Sequence, residues 1–268
     1  MTNHYQNFLD FALELADAAA AEIMPRYRNH TVSRKADGSV VTEADRQAEL
    51  TMRDIIGERY SDHAILGEEF GEKTSATSAL RWVLDPVDGT AWFVLGVPVF
   101  GSLIALVEHD EPIVGVINFP AIDETVYAAK GLGCWYRAGD AAPARLQIQP
   151  VGSLNEAYVS ASGVHNSDIR PSAGETNYEL SALIRAAQNF RFCTDCMQYA
   201  LVCRSRLQIG LDPAMNPWDI AAIVPCVEEA GGVISNLAGQ RAGIIHGGSL
   251  IASATPELHR AALDLLQP

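Results

Sequence analysis

Basic residues are scarce in this chain. Nineteen Lys and Arg stand against 33 Asp and Glu in 268 residues, a formal net charge of −14. A field of that sign repels phosphate backbones, which argues against nucleic acid as a partner. An anionic substrate would therefore need cations to neutralise it locally. Long apolar runs are missing too. The most apolar stretch, Ala91 to Val107, is interrupted by Gly96, Pro98 and Gly101 and is too short to cross a bilayer. No basic segment followed by an apolar core opens the sequence, so the expectation is a cytoplasmic protein with no membrane partner. Cysteines number five, an odd count, and four fall in the last third, which does not fit a secreted disulfide framework. Cys193-x-x-Cys196 has no second CxxC and no nearby HxxxH to complete a zinc site, so reduced, buried thiols are expected.

What is present is globular. Apolar residues make up 48% and charged residues 19%, enough for one large core or two modest domains. Residues 5 to 28 carry Phe8, Phe11, Leu15, Ala19 and Ile23 at helical spacing. Asp37-Gly38 marks a turn, and Thr42 can cap a helix over 43–59. Ala64-Ile65-Leu66 reads as a short strand, Glu72 and Lys73 as loop surface, and 73–80 as a Thr/Ser/Ala-rich connection. The β-branched runs 99–107 and 112–119 flank His109-Asp110-Glu111 as a hairpin, and strands follow at 125–129 and 134–136. The pattern fades over 137–150, which sets a domain boundary near 148: an α+β domain over 1–148 and an α/β domain over 149–268. In the second half, strands are expected at 157–161, 190–193 and 207–211, with helices at 175–187 and 196–204. A helix over 217–232 should kink at Pro225, and a last helix spans 256–266.

The most informative stretch is Asp85-Pro86-Val87-Asp88-Gly89-Thr90, at the end of the apolar run Arg81 to Leu84. Two hard carboxylates on a turn stiffened by proline suit Mg²⁺. Gly89 allows close backbone approach, Thr90 is a good helix N-cap, and amides at a helix start suit phosphate. An ordinary Asp-Pro/Asp-Gly turn is the alternative. Asp45 falls in the first turn of the 43–59 helix, where dipole compensation alone would also explain it. Lys35 is either a solvated surface lysine or a cation for the substrate. Glu68 directly follows a strand, and Asp219 opens a helix.

Taken in order, Val41-Thr42-x-x-Asp45, Gly67-Glu68-Glu69, Asp85-Pro86-x-Asp88-Gly89-Thr90, Trp218-Asp219-x-Ala221-Ala222 and Glu229-Ala230-Gly231-Gly232 resemble the inositol monophosphatase-like family. The resemblance implies a layered α/β/α/β/α sandwich of the inositol monophosphatase/fructose-1,6-bisphosphatase type and a homodimer. It implies a lithium-sensitive phosphatase holding on the order of two or three Mg²⁺ ions per site. Glu68, Asp85, the Val87 carbonyl, Asp88 and Asp219 would bind metal; Asp45 and Thr90, with Glu68, would serve catalysis; the Gly89 and Thr90 amides would hold a small-molecule phosphate monoester.

Within the family, Thr194-Asp195-Cys196-Met197-Gln198-Tyr199 and Leu211-Asp212-Pro213-x-Met215-Asn216-Pro217-Trp218-Asp219 look like the histidinol-phosphate phosphatase branch. Asp195, with Asp212, could pair with the ammonium of such a substrate, whereas inositol offers only hydroxyls. Asp195 could equally be the N-cap of the following helix. Ala91 and Cys203-Arg204-Ser205-Arg206 depart from the usual family pattern and leave substrate choice open. The alternatives are an inositol-1-phosphate or broad sugar-phosphate phosphatase, a nucleotide 3′-phosphatase, or a metal-binding regulatory protein without turnover. The polar, turn-rich stretches 30–42 and 71–79 are candidate lids.

Overall fold

The computed structural model describes residues 2–35, 38–171 and 178–267. Helix α1 (Thr2–Ile23) buries Phe8, Phe11, Ala12, Leu15 and Ala19. It stops five residues short of the sequence pattern because Pro25 lacks an N–H and restricts Met24 before it; a 3₁₀ turn, Met24–Arg26, follows. Strands β1 (Val32–Arg34) and β2 (Val40–Thr42) pair antiparallel. Asp37, half of the expected Asp37-Gly38 turn, lies outside the described residues, as do 172–177 and with them the start of the helix expected at 175.

Helix α2 (Glu43–Arg59) begins where Thr42 predicts. The Thr42 hydroxyl accepts from the Ala44 N–H at 3.1 Å while its own N–H donates to Asp45 at 2.9 Å. Next come β3 (Ala64–Gly67), β4 (Gly71–Lys73), β5 (Leu80–Asp88), α3 (Thr90–Leu95), β6 (Gly101–Glu108), β7 (Glu111–Phe119), β8 (Glu124–Ala129), β9 (Gly133–Ala138) and β10 (Ala144–Leu146). Glu72 and Lys73 are thus strand rather than loop, drawn into register by β3. Eight of these strands form one sheet in the order β10-β9-β8-β7-β6-β5-β3-β4. Its pairs are antiparallel except β3 with β5. Neighbouring side chains on its central strands enter opposite cores. On β6, Leu103, Ala105 and Val107 join one cluster and Ile104 and Leu106 the other.

The second half supplies β11 (Tyr158–Ala161), α4 (Leu180–Ala186), β12 (Asn189–Arg191), α5 (Asp195–Cys203), β13 (Ile209–Asp212), α6 (Pro217–Ala221), α7 (Ile223–Glu229), β14 (Val233–Ser235), β15 (Leu250–Ser253) and α8 (Pro256–Leu266). Five strands make a mixed sheet in the order β12-β11-β13-β15-β14. The expected kink sits at Ala222, one turn ahead of Pro225. Pro225 cannot donate to the Ala221 carbonyl four residues earlier, so α6 and α7 separate there.

The layers run α1 and α2, the eight-stranded sheet, α5 with α6 and α7, the five-stranded sheet, then α4 with α8. Cys134, Cys196, Cys203 and Cys226 are buried free thiols as expected; Cys193 is free but only half-buried, a departure from the expectation. Among the described residues no helix is long and apolar enough to cross a membrane.

Candidate active site

The parallel pairing of β3 with β5 delivers two carboxylates to one end of the large sheet. Gly67 lies opposite Leu84, and the Glu68 N–H donates to the Leu84 carbonyl at 3.2 Å, so Glu68, just past the end of β3, stands beside Asp85 on β5. β5 does not end at Leu84. It continues to Asp88 through a register shift against β6 between Asp85 and Asp88. That bulge tolerates Pro86, whose carbonyl accepts from the Ser102 hydroxyl at 2.8 Å. Gly89 then adopts φ 82°, a left-handed conformation that suits glycine, and caps α3. Thr90 is therefore the first helical residue and not the N-cap. Its hydroxyl reaches back to Asp45 Oδ1 and the Val87 carbonyl, each at 3.0 Å.

Glu68, Asp85, Val87, Asp88, Gly89, Thr90, Asp195, Asp212 and Asp219 all line one cleft of about 200 Å³. Ligand atoms of Asp85, Asp88 and Asp219 lie within 4.8 Å of one another, and Asp85 Oδ1 is buried with no hydrogen-bond partner. This is a donor set that fits a hard divalent cation: clustered carboxylate oxygens, one of them otherwise unsatisfied. Burial pushes the Asp85 carboxyl well above the ordinary carboxylate range, with Glu68, Asp88 and Asp219 adding to it. Asp88 is raised by burial and by Asp195 and Asp219, although it accepts the Cys196 N–H at 2.5 Å. Asp219, whose Oδ2 accepts the Asn216 N–H at 2.7 Å, is raised to about 7 by burial first and then by Glu68. Carboxylates that resist joint ionisation are poised for a cation to relieve them.

Asp45 sits behind this cleft, wholly buried. Its Oδ2 accepts the Thr42 N–H at 2.9 Å and the Thr42 hydroxyl at 2.5 Å, leaving Oδ1 to Thr90. Burial raises its proton affinity against the opposing hydrogen bonds of Thr42 and Thr90. Lys35 is ion-paired to the residues that carry the cleft. It stands at the rim, 2.8 Å from Glu68 Oε1 and 2.7 Å from Glu69 Oε1. Burial lowers its proton affinity, but the two carboxylates override that and hold the ammonium above its usual range.

Asp195 is not the cap of α5. Thr194 holds the N-cap position, and Asp195 is the first helical residue with φ 53°, rare for a non-glycine. Its Oδ2 lies close to Gly89: a Cβ placed on that glycine would stand 3.1 Å from it. Burial raises its carboxyl, offset in part by the Thr194 and Trp92 side chains. Asp212 is raised to about 6, chiefly by burial. Met215, Asn216 and Trp218 also line the cleft. They fall within the Leu211–Asp219 motif, whose residue types alone assign them no role. The signal lay in their placement between Asp212 and Asp219: Met215 and Asn216 on the short loop after β13, Trp218 in the first turn of α6.

An α/β/α/β/α sandwich with acidic residues converging at the end of its larger sheet is the architecture of the inositol monophosphatase/fructose-1,6-bisphosphatase class. The chain belongs to the inositol monophosphatase family, which matches residues 4–267; it is a family of phosphatases, generally metal-dependent. Among curated relatives, the chain is 36% identical over 248 residues to a histidinol-phosphatase from Mycobacterium tuberculosis, covering 91% of this chain and 93% of that protein. It is 33% identical over 234 residues to an inositol-1-monophosphatase from Synechocystis, covering 86% and 79%. Among solved structures it is similar to an inositol monophosphatase from Zymomonas mobilis, with TM-score 0.82, 30% identity and coverage of 97% and 98%.

Proposed function

We propose that this protein is a Mg²⁺-dependent phosphatase acting on L-histidinol phosphate, releasing L-histidinol and inorganic phosphate. One observation carries the substrate choice: Asp195 and Asp212 line the same cleft as the Asp85, Asp88 and Asp219 cluster, so the cleft holds more negative charge than its candidate cation ligands require. An ester that carries its own ammonium matches that surplus, and a charge-assisted hydrogen bond to a carboxylate would orient it. The likeness to proteins named histidinol-phosphatase supports the same choice.

Glu68, Asp85, the Val87 carbonyl, Asp88 and Asp219 would hold on the order of two or three Mg²⁺ ions. Bound there, the cations would neutralise the phosphate, acidify a water and stabilise the leaving alkoxide. The remaining work falls to the chain. Thr90 has one hydroxyl proton and two acceptors at 3.0 Å; when it donates to Asp45 Oδ1, its lone pairs would be able to accept from a water in the cleft. A proton leaving that water passes to Thr90 Oγ1 as Thr90 passes its own to Asp45. Burial makes Asp45 the stronger base for that step. The amides of Gly89 and Thr90, at the start of α3, would hold the phosphate.

A phosphate-release panel of histidinol phosphate, inositol 1-phosphate, sugar phosphates and a nucleotide 3′-phosphate tests the substrate. Asp195→Ala should lower kcat/KM for the amine-bearing ester by at least about tenfold while leaving the neutral esters within about threefold. An equal loss across the panel, or faster turnover of inositol phosphate by the wild type, refutes the assignment. We further propose a cytoplasmic homodimer inhibited by lithium, with a domain division at residue 148. The exposed Leu95 and Phe192 offer apolar surface for a second copy.

A further inference from the structure

Glu49 is a fully buried carboxylate outside the cleft, and no step of the chemistry above uses it. It stands one helical turn after Asp45 on α2, and Arg53 stands one turn further on the same face. Its two oxygens are engaged from three sides. Oε2 accepts the Glu69 N–H at 2.7 Å; Oε1 accepts the Phe70 N–H at 3.2 Å and the Arg53 Nε–H at 2.7 Å. The Arg53 guanidinium also donates to the Gly71 carbonyl. Apart from the Glu49–Arg53 pair itself, these contacts fall on the turn Gly67–Gly71, which joins β3 to β4 and carries Glu68.

The approach is too close for any side chain at position 67. A Cβ on Gly67 would lie 2.0 Å from Glu49 Oε1 and 2.8 Å from Oε2. A buried carboxylate is costly unless it is paired and hydrogen-bonded. Here the Arg53 charge and two backbone amides meet that cost, and the amides are those immediately following Glu68. The geometry points to Glu49 and Arg53 as positioning residues for Glu68: a clamp through which α2, which also carries Asp45, fixes the candidate metal ligand relative to the candidate base. This rests on the reading of Glu68 as a metal ligand. Without the clamp the turn would still form, because the Glu68 N–H keeps its bond to Leu84, but the side chain would lose its defined aim into the cleft. Outer partners of metal ligands typically contribute about 10- to 100-fold in metal affinity.

The test is Mn²⁺ binding to the metal-free protein by electron paramagnetic resonance or calorimetry, beside phosphate release as a function of Mg²⁺ concentration. Glu49→Gln keeps the shape but turns an amide donor toward at least one backbone N–H. It should weaken Mn²⁺ binding by about tenfold or more and raise the half-activating Mg²⁺ concentration in step. The ester KM at saturating Mg²⁺ should stay within about twofold of wild type. Arg53→Gln should give a smaller loss of the same kind, and Arg53→Lys, which preserves the charge, should recover most of it. Should Glu49→Gln fail to fold, the Arg53→Gln isotherm decides by itself. An unchanged Mn²⁺ isotherm in whichever variant folds overturns the clamp. A wild-type chain that binds Mn²⁺ but releases no phosphate from any ester overturns the proposed function while leaving the clamp readable. A wild-type chain that binds no divalent cation overturns both.

Discussion

Replacing Asp219 with asparagine is expected to stabilise the metal-free protein and abolish its response to Mg²⁺. Burial and the neighbouring Glu68 hold the Asp219 carboxyl at about 7 against an ordinary 3.8. An ionised carboxylate displaced that far represents about 4 kcal/mol of unfavourable interaction. Two effects reduce what the substitution recovers. The side chain is partly solvent-facing, which screens some of the repulsion. Its Oδ2 also accepts the Asn216 N–H at 2.7 Å, and an amide oxygen replaces that charged acceptor at a cost of about 1 kcal/mol.

The net gain for Asp219→Asn is about 2 kcal/mol, or a Tm higher by about 4–8 °C for a chain of this size. The pH dependence gives the sign. A carboxyl whose folded value is raised leaves the fold fully stable below 3.8 and costs stability as pH climbs toward 7, so the advantage of the variant is complete above pH 7 and fades toward pH 4. The assay is thermal or urea unfolding in chelator at pH 8 and pH 4.5, repeated with Mg²⁺. Wild type should gain stability on adding Mg²⁺ and the variant should not. A variant less stable than wild type in chelator at pH 8 would refute the view that these carboxylates repel one another across the cleft.

Thr90→Val keeps the side-chain shape but removes the hydroxyl linking the cleft to Asp45; kcat should fall by about 10²–10⁴-fold with Mg²⁺ half-saturation nearly unchanged, and steady-state kinetics at varied Mg²⁺ would show it. His259 is buried between Ser235, 2.8 Å from Nε2, and Ser253, 3.0 Å from Nδ1; burial lowers it from 6.5 to about 4. A depressed folded value means its contribution is present above pH 6.5 and lost toward pH 4, about 2 kcal/mol of it between pH 7.5 and pH 5. The cleft carboxylates titrate in the opposite sense, so the quantity to measure is the difference in urea stability between wild type and His259→Gln at the two pH values. A difference that does not change with pH would rule out His259 as the responsible group.

Much of the local structure was legible because its causes are local. Thr42 and Asp45 satisfy each other within one turn, so the start of α2 can be read from four residues. The apolar spacing of 256–266 likewise needs no distant partner to define α8. What escaped depended on neighbours remote in sequence. β4 is three polar, exposed residues whose strand conformation comes from β3, and β14 takes its conformation from β15. Pro25 and Pro225 act on the residues before them, which is why the ends of α1 and α6 arrive earlier than hydrophobic spacing suggests.

The cleft shows the same division. Each acidic residue by itself had an ordinary explanation in turn or helix chemistry, and only the family resemblance proposed that they meet. The structure brings Glu68, Asp85, Asp88, Asp195, Asp212 and Asp219 to one cleft and sets Lys35 at its rim. The left-handed backbone of Asp195 and the Glu49 contacts with the Gly67–Gly71 turn had no sequence signature, because both arise from segments far apart in the chain.

β3 runs alongside β5 in the same direction, within a sheet whose other described pairs alternate, and only β4 lies beyond it at that margin. A cation gripped by Glu68 and Asp85 together would therefore act as a rivet through the seam between the border strand and the interior. Amide exchange along Ala64–Lys73 should slow as the cation concentration rises, while the hairpins at the far margin keep their own pace. Loading the centre and fastening the sheet's loose edge would then be one event.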